Sequence, residues 1–318
     1  ADLSDTLRGG DGDDDLTGAG GDDTLDGGAG IDMAHYAASL DAADIVPNGA
    51  GGWTVTTGGE GTDTLSDVEI VAGAGGARFL LVGNGGFDTI QAAIDAAVDG
   101  DTILIAADTY AENLVVDKAV TLVGVGEVIL QGTFTSSNGI AGTVYDHLKS
   151  GAYSAGDPAI QVAADDVAIK NVKIRDFFQG IRIADDIEDL RIEDVAIASV
   201  VDGIYKPGDV EVTNLDIIGG SISDAYIGIH LVKVPGGKDA VDVTVDGTTF
   251  EHLLQKGIYA ETLQGTTLFD NIVMNDVGQY GGGAAFGAPG ANGAGIEANL
   301  KYGAYVGSIT IQNFDFTD

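Results

Sequence analysis

The first 35 residues repeat a pattern of nine positions. Leu7, Leu16 and Leu25 are nine residues apart, and each follows an aspartate by two positions. Glycines between these segments permit tight turns, because they adopt backbone conformations that are closed to other residues. The pattern predicts short strands with leucine facing inward, separated by glycine turns, so that each nonapeptide forms half of a coil.

The pattern changes after residue 35. Residues 36–78 contain short alternating runs separated by glycines, which predict a β-rich adaptor. The sequence Asp88-Thr89-Ile90-Gln91 then has the form of a capping box, and apolar residues follow on one helical face before Gly100. We expect a short helix that covers the open end of the next domain. Strand-like segments follow at residues 102–105, 113–116, 120–123 and 128–130.

The rest of the chain repeats a short apolar segment at longer intervals. Successive isoleucines in this segment are 21, 23, 25, 29 and 38 residues apart. Coils of about 22 residues with inserted loops are typical of a solenoid. We therefore expect an all-β protein with a parallel β-roll at residues 1–35, the adaptor at 36–78 and a parallel β-helix at 79–318. The isoleucines are Ile160, Ile181, Ile204, Ile229, Ile258 and Ile296.

Side chains on a strand point alternately to its two faces, so the residue after each isoleucine is expected to face outward. This predicts a ladder of exposed side chains with rungs about 4.8 Å apart. Lys206, Glu261 and Asn299 lie one or two positions beyond a rung and are expected to flank it. The ladder consists of Gln161, Arg182, Tyr205, His230, Tyr259 and Glu297.

Charge and composition limit the partners of the chain. The net charge of −36 disfavours nucleic acid and anionic membranes and favours cations. The absence of cysteine excludes disulfides and thiolate metal sites. No apolar run reaches about 18 residues, so we expect no membrane span, and the first residues lack the basic and apolar regions of a signal peptide. Because it begins within a repeat, we expect it to be part of a longer protein.

The aspartates of the nine-residue repeat are candidate calcium ligands. Residues 1–35 contain ten aspartates and one basic residue, Arg8, so the carboxylates repel one another without a cation. Stacked turns present carboxylate and backbone carbonyl oxygens, and calcium accepts such flexible all-oxygen sites. Calcium should therefore be required for this segment to fold. The predicted ligands are Asp5, Gly10, Gly12, Asp14, Ala19, Gly21, Asp23, Gly28, Gly30 and Asp32.

These residues resemble the RTX, or hemolysin-type, calcium-binding repeats. The resemblance implies type I secretion, an extracellular or cell-surface location and Ca²⁺ as the cofactor. The alternative is a flexible linker rich in glycine and aspartate. A linker, however, has no reason to keep leucine in phase.

The segment from residue 87 onward resembles the start of a right-handed parallel β-helix of the pectin-lyase-like class. Mannuronan C5-epimerases, which combine β-helix and RTX modules, carry an Asp-Pro-His-Glu signature. This chain has Asp157-Pro158-Ala159-Ile160 instead and lacks the histidine. That departure argues against an epimerase.

Three interpretations of the ladder remain open. The first is a solvated sheet face, and the second is a polysaccharide-binding groove. The third is the active site of an enzyme that resembles a polyuronate lyase or epimerase. For binding, tyrosines would stack on sugars, and Arg182 and Lys206 would pair with acidic groups. For catalysis, Arg182 would neutralise a uronate carboxylate, His230 or Tyr205 would act as base, and Tyr259 as acid.

The leading hypothesis is a calcium-binding module of a large secreted RTX protein with a structural or adhesive role. Solenoids stack end to end, so self-assembly into an array or filament is part of this hypothesis. Two insertions are interpreted as long loops. One contains Tyr145-Asp146-His147, and the other is the glycine-rich stretch at residues 278–295.

Overall fold

The structure is a computed structural model that describes residues 3–133, 157–278, 294–300 and 305–317. The sequence Tyr145-Asp146-His147 and most of the glycine-rich stretch lie outside the described residues. Internal contacts divide the chain into two compact units. The boundaries between these units do not fall at residue 36 or residue 78, the two ends of the expected adaptor. The first unit comprises Ala1–Tyr110 and Lys118–Val128, and the second comprises Ala111–Asp117 and Ile129–Asp318.

Short strands dominate the first unit, together with one α-helix, α1 (Ile90–Ala96), and 3₁₀ helices at Ala42–Asp44 and Ala74–Gly76. Its strands are β1 (Thr6–Asp11), β2 (Asp15–Leu16), β3 (Thr24–Ala29), β4 (Met33–His35), β5 (Ile45–Pro47), β6 (Trp53–Thr57), β7 (Gly61–Ser66), β8 (Ile70–Ala72), β9 (Arg78–Val82), β10 (Thr102–Ala106) and β11 (Thr109–Tyr110). The next strands are β12 (Leu114–Val116), which belongs to the second unit, and β13 (Thr121–Gln131), which runs from the first unit into the second.

The first four strands form the predicted parallel roll. Leu7 of β1 pairs with Leu25 of β3, and Leu16 of β2 pairs with Ala34 of β4. Each pair is separated by two nonapeptides, so one nonapeptide is half of a coil as predicted. Leu16, Leu25 and Ala34 are buried, which confirms their inward orientation.

The stack of the roll continues into residues 36–78. Leu25 of β3 pairs in parallel with Leu65 of β7, and Ala34 of β4 pairs with Val71 of β8. The intervening strands β5 and β6 form an antiparallel excursion that returns to β7. Trp53, from β6, is buried in the same hydrophobic core as Leu25 and Leu65. The adaptor is therefore structurally a further coil of the roll with an inserted hairpin.

The helix α1 begins one residue later than the capping box predicted. Its N-cap is Thr89, whose hydroxyl accepts a hydrogen bond from the Ala92 N–H (3.1 Å). Ile90, Ala93 and Ile94 are buried on the face predicted to be apolar. α1 contacts β9 and β10. These two strands and β13 form a parallel stack in the order β9, β10, β13. The predicted strands at 120–123 and 128–130 are one continuous strand, β13.

The second unit is a parallel β-helix. Its further strands are β14 (Pro158–Val162), β15 (Val167–Arg175), β16 (Gln179–Ile183), β17 (Ile187–Glu193), β18 (Ala196–Lys206), β19 (Val212–Ile218), β20 (Ser221–Leu231), β21 (Ala240–Asp246), β22 (Thr249–Leu253), β23 (Lys256–Ala260), β24 (Gly265–Val277), β25 (Ala294–Ala298) and β26 (Gly307–Thr317).

Three stacks of parallel strands make up the walls of this β-helix. The ladder wall contains β12, β14, β16, the second halves of β18 and β20, β23 and β25. The long strands β15, β18, β20, β24 and β26 bend from one wall to the next. At one bend, Asn171, Asp194, Asn271 and Asn313 have φ of 56°, 52°, 50° and 49°. Asn and Asp tolerate this left-handed conformation, which is why they recur at the corner.

The isoleucines predicted to stack inward do so. Ile160 pairs with Ile181, Ile181 with Ile204, and the register continues through Ile229 and Ile258 to Ile296. The first five are almost fully buried. The glycine before the isoleucine is required at Gly203, because a β-carbon there would lie 2.5 Å from the Gly228 carbonyl oxygen. Within the described residues, no helix is long and apolar enough to cross a membrane.

Candidate functional site

Two columns of carboxylates run along the roll and join its turns. The Asp5 N–H donates to Asp23 Oδ1 (2.8 Å), and the Asp14 N–H donates to Asp32 Oδ1 (2.8 Å). Asp23 and Asp32 thus each use one carboxylate oxygen to accept a hydrogen bond from the backbone of the preceding coil. This explains why aspartate recurs every nine residues in two alternating columns.

The second carboxylate oxygen of three aspartates in these columns is buried. Oδ2 of Asp14, Asp23 and Asp32 is buried without a hydrogen bond among the described residues. A β-carbon on Gly9 would lie 2.5 Å from both Asp14 Oδ2 and the Gly27 carbonyl oxygen. Two oxygens therefore converge on one place between successive turns. Buried acceptors without donors are rare in folded proteins, and a cation satisfies them.

The six backbone positions predicted as carbonyl ligands all have positive φ, from 67° to 151°. Ala19, at φ 67°, is the only one of them that is not glycine. Positive φ at the second and fourth positions of each turn curls the backbone, so glycine is favoured there. Their coordination of calcium stays a prediction. The positions are Gly10, Gly12, Ala19, Gly21, Gly28 and Gly30.

The electrostatics of the roll also favour a bound cation. Burial raises the pKa of Asp32, and the nearby Asp14, Asp13 and Asp26 carboxylates raise it further, against the opposing effect of the Asp14 N–H. No group of three or more His, Cys, Asp or Glu side chains is placed to hold a metal in the described part of the chain. A calcium ion in the roll would therefore need backbone carbonyls as well as carboxylates.

Residues 1–34 match the family of RTX calcium-binding nonapeptide repeats, in four copies. RTX repeats bind Ca²⁺, so calcium is the cofactor of this segment. The match covers a small part of the chain and assigns no role to the β-helix. Neither the curated proteins nor the solved structures gave a match.

The structure reveals a further RTX-like turn at residues 58–66, which the sequence analysis missed. The Asp23 N–H donates to Asp63 Oδ1 (2.8 Å), as Asp5 does to Asp23 in the preceding turn. The Gly21 N–H donates to the Glu60 carbonyl oxygen (3.1 Å), which repeats another bond of the roll. The sequence signal was present, because residues 58–66 read GGEGTDTLS. The inserted hairpin shifts this repeat out of the nine-residue phase.

In the β-helix, the predicted ladder is in register throughout. Gln161 pairs with Arg182, Arg182 with Tyr205, Tyr205 with His230, His230 with Tyr259, and Tyr259 with Glu297. All six side chains are partly exposed, while the first five of the isoleucines beside them are buried and Ile296 is partly exposed. The geometry of the ladder is thus as expected, and its function stays a prediction.

Neighbouring rungs of the ladder contact one another. The Arg182 guanidinium lies 5.4 Å from the ring centroid of Tyr205. The rings of Tyr205 and His230 meet edge to face with centroids 5.4 Å apart, and those of His230 and Tyr259 are 5.3 Å apart. Burial raises the pKa of Tyr205, with a further contribution from the Asp202 carboxylate. Three rings and a guanidinium therefore form a continuous column.

The expectation that Lys206 flanks the ladder is wrong. Lys206 is fully buried and pairs with Leu231, because it follows Tyr205 and alternation turns it inward. Its ammonium donates to the carbonyl oxygens of Val232 (3.2 Å) and Lys238 (2.7 Å). Burial lowers the pKa of Lys206 to about 8. It is therefore not a cation available to a ligand at the surface.

Glu261, the second predicted flanking residue, does reach the ladder. Its Oε1 accepts a hydrogen bond from the Tyr259 hydroxyl (2.8 Å), and its Oε2 accepts one from the Lys233 N–H (3.2 Å). Asn299, the third, donates its backbone N–H to the Ala260 carbonyl oxygen (2.7 Å). Glu261 thus fixes the position of the Tyr259 hydroxyl.

Three buried polar residues, Gln179, Asp202 and Lys256, lie three positions before rungs of the ladder, and Ile227 takes the equivalent position before His230. Asp202 accepts a hydrogen bond from Gln179 Nε2 (3.4 Å), and its Oδ1 lies 3.1 Å from His230 Nδ1. Lys256 Nζ lies 3.6 Å from the Tyr259 ring centroid and 2.8 Å from Glu297 Oε2. Strict alternation puts a residue three positions before a rung on the opposite face of the strand. This rule therefore does not predict that these residues contact the rungs. Register pairing with the neighbouring coil was the missing information.

Proposed function

We propose that this chain is a module of a secreted RTX protein whose β-helix binds an extended acidic polysaccharide along the ladder. The calcium-binding repeats are typical of secreted proteins, which supports the extracellular setting. The observation that carries the proposal is the unbroken register of partly exposed rungs from Gln161 to Glu297. A polymer of repeating units fits a surface that repeats along one axis.

The central rungs have the chemistry that a sugar polymer requires. Tyr205, His230 and Tyr259 offer partly exposed ring surface, and apolar sugar faces pack on aromatic rings. The partly exposed rungs Gln161 and Glu297 supply an amide and a carboxylate that can bond sugar hydroxyls. Polar rungs thus flank the aromatic rungs along the ladder.

Arg182 gives this surface a preference for acidic groups. Its contacts are the neutral Gln179 amide oxygen (3.4 Å) and the Tyr205 ring, and it has no carboxylate partner among the described residues. Lys256, in contrast, is already paired with Glu297. A guanidinium that has no carboxylate partner can bind a ligand carboxylate through two parallel N–H···O hydrogen bonds. We therefore place the acidic subsite at Arg182.

The test is binding to polyuronates such as alginate and pectate, against neutral glucans, by affinity electrophoresis in calcium. We expect the acidic polymers to retard the protein and Arg182→Gln to weaken this about tenfold, since a charge-assisted contact is lost. Arg191→Gln is the matched control, because Arg191 lies on another wall and is paired with Glu193 (2.9 Å). Equal binding by all three proteins, or no binding of any polymer, would reject the proposal.

A second candidate function, a polyuronate lyase, is favoured by one contact. Asp202 Oδ1 lies 3.1 Å from His230 Nδ1, and a proton held on Nδ1 by this carboxylate would leave Nε2 to act as a base. In this scheme, His230 removes the proton next to the uronate carboxylate, and Arg182 stabilises the resulting charge. The electron pair forms the ring double bond as the glycosidic C–O bond breaks. The Tyr259 hydroxyl protonates the departing oxygen.

Lyase activity is tested by ultraviolet detection of unsaturated product with the same polymers. The scheme predicts loss of product in His230→Ala and a large decrease in Asp202→Asn. An inactive wild-type protein that still binds the polymers would leave binding as the function and exclude the lyase.

The structural or adhesive role is also a proposal, supported by the solenoid architecture. It predicts calcium-dependent assembly of the purified chain, measured by light scattering and electron microscopy. A monomer at every calcium concentration would argue against it. Export by type I secretion belongs to the same proposal.

A further inference from the structure

The carboxylate column that contains Asp14 and Asp32 does not stop where the RTX match ends. The Asp32 N–H donates to Glu69 Oε2 (2.8 Å), which repeats the bond from the Asp14 N–H to Asp32. The Ile70 N–H donates to the Asp32 carbonyl oxygen (3.0 Å), as the Met33 N–H does to Asp14 (2.8 Å). Glu69 thus occupies the place of the next aspartate in the column.

The oxygens that converge between turns of the roll converge again at this position. A β-carbon on Gly27 would collide with the Asp67 carbonyl oxygen and lie 2.6 Å from Asp32 Oδ2. At Gly9, the corresponding oxygens belong to the Gly27 carbonyl and Asp14. The Asp67 carbonyl therefore takes the role that a repeat glycine has one turn earlier.

The local sequence is not that of a repeat. Asp67-Val68-Glu69 has no glycine, and the turn is shortened to three residues. Asp67 has φ of 50°, a left-handed conformation that aspartate tolerates. Gly85 packs closely here, since a β-carbon on it would lie 2.9 Å from the Asp67 nitrogen. A different chain segment thus reproduces the arrangement of oxygens found in the repeats.

An unpartnered acceptor points to a ligand at this place. Asp32 is fully buried, and its Oδ2 has no hydrogen-bond donor among the described residues. Glu69 is buried as well. We propose that Asp32, which lies within the RTX match, forms a further calcium site with the Asp67 carbonyl and Glu69, which lie beyond it. All three donors are oxygens, which favours calcium over zinc and other metals that prefer nitrogen or sulfur.

This site extends calcium dependence into residues 36–78. The Glu69 carbonyl oxygen accepts a hydrogen bond from the Leu81 N–H of β9 (2.9 Å), so the ligand is anchored to the strand that contacts α1. Calcium at Glu69 would therefore order residues 67–72 together with the roll. The site is independent of the function proposed for the ladder.

Glu69→Gln tests the site, because glutamine keeps an acceptor for the Asp32 N–H and removes the charge. Native mass spectrometry of the full chain at increasing calcium should count one ion fewer per chain in this variant. Asp88→Asn is the matched control, since Asp88 is exposed and lines the same cleft as Glu69 but is outside the column. It should keep the wild-type count. An unchanged count and affinity in Glu69→Gln would overturn the proposal.

Hydrogen–deuterium exchange of the wild-type chain gives a second readout that needs no variant to fold. Calcium addition should slow exchange at residues 67–72 at least tenfold. Exchange at these residues that is the same with and without calcium would overturn the proposal independently.

Discussion

The roll and the β-helix are both stacks of parallel coils, but different forces complete their interiors. The roll buries Oδ2 of Asp14, Asp23 and Asp32, and these oxygens have no hydrogen-bond donor in the described part of the chain. Among its described residues, the β-helix buries rows of isoleucine, valine and phenylalanine, and the unpartnered atom there is the Thr267 hydroxyl. The same topology is thus supported by a cation in one region and by apolar packing in the other. The comparison predicts that only the roll depends on calcium for its stability.

Truncation of the β-helix core should have the largest effect and should not depend on calcium. Phe250 is fully buried, so Phe250→Ala should lower the free energy of unfolding of the β-helix by about 3–5 kcal/mol. Urea unfolding in calcium and in chelator should give the same difference from wild type. Val234→Ala, at an exposed position, should change stability by less than about 0.5 kcal/mol. A Phe250→Ala effect present only in calcium would refute the contrast.

Removal of one carboxylate charge in the roll should act through calcium. Asp23→Asn keeps an acceptor for the Asp5 N–H but weakens the cation site. We expect the calcium midpoint for folding of the roll to rise about tenfold, equivalent to about 1.4 kcal/mol. Circular dichroism during calcium titration measures this midpoint. Asp44→Asn, outside the columns, is the control, and an equal shift in both variants would reject the assignment of Asp23.

The interior lysine of the β-helix should produce an effect that depends on pH. The folded state lowers the pKa of Lys206 from 10.5 to about 8, so it binds this proton less tightly than the unfolded state. Stability should therefore rise as pH increases from about 8 to 10.5, and the penalty should be fully present below pH 8. Its upper limit is roughly 3 kcal/mol, from the size of the pKa shift.

Lys206→Met should abolish this pH-dependent gain. At pH 7 the variant no longer has the penalty of the buried charge, but it also loses the two hydrogen bonds of the ammonium. We expect its stability at pH 7 to be equal to or above that of wild type after the loss of these hydrogen bonds is allowed for. Urea unfolding at pH 7 and pH 10 in calcium measures it. Lys170→Met, which removes a surface ion pair with Glu193, is the control and should keep the wild-type pH dependence. Loss of the dependence in both variants would show that Lys206 is not its source.

Strict periodicity made both regions predictable from the sequence. Aspartates nine residues apart fix the carboxylate columns, and an isoleucine in each coil fixes the ladder register. Interruptions of a period were missed, as at residues 58–66 beyond the inserted hairpin. Glu69 was missed because glutamate in a shortened turn does not match the repeat, although it holds the same backbone group as an aspartate.

Side-chain contacts between neighbouring coils could not be predicted from a single sequence. Asp202 meets His230 of the next coil, a pair 28 residues apart that no local pattern indicates. Lys206 was misplaced for another reason. The alternation that predicts Tyr205 as outward also requires the next residue to be inward, whatever its charge. Lys206 follows this rule and is buried.

The most direct test of the account is regional hydrogen–deuterium exchange of the wild-type chain, with calcium and then with excess chelator. We expect chelation to speed exchange throughout β1–β4 and in β7 and β8, and to leave β14–β24 protected. Equal protection of the roll with and without calcium, or loss of protection in the β-helix to the same degree, would contradict the account.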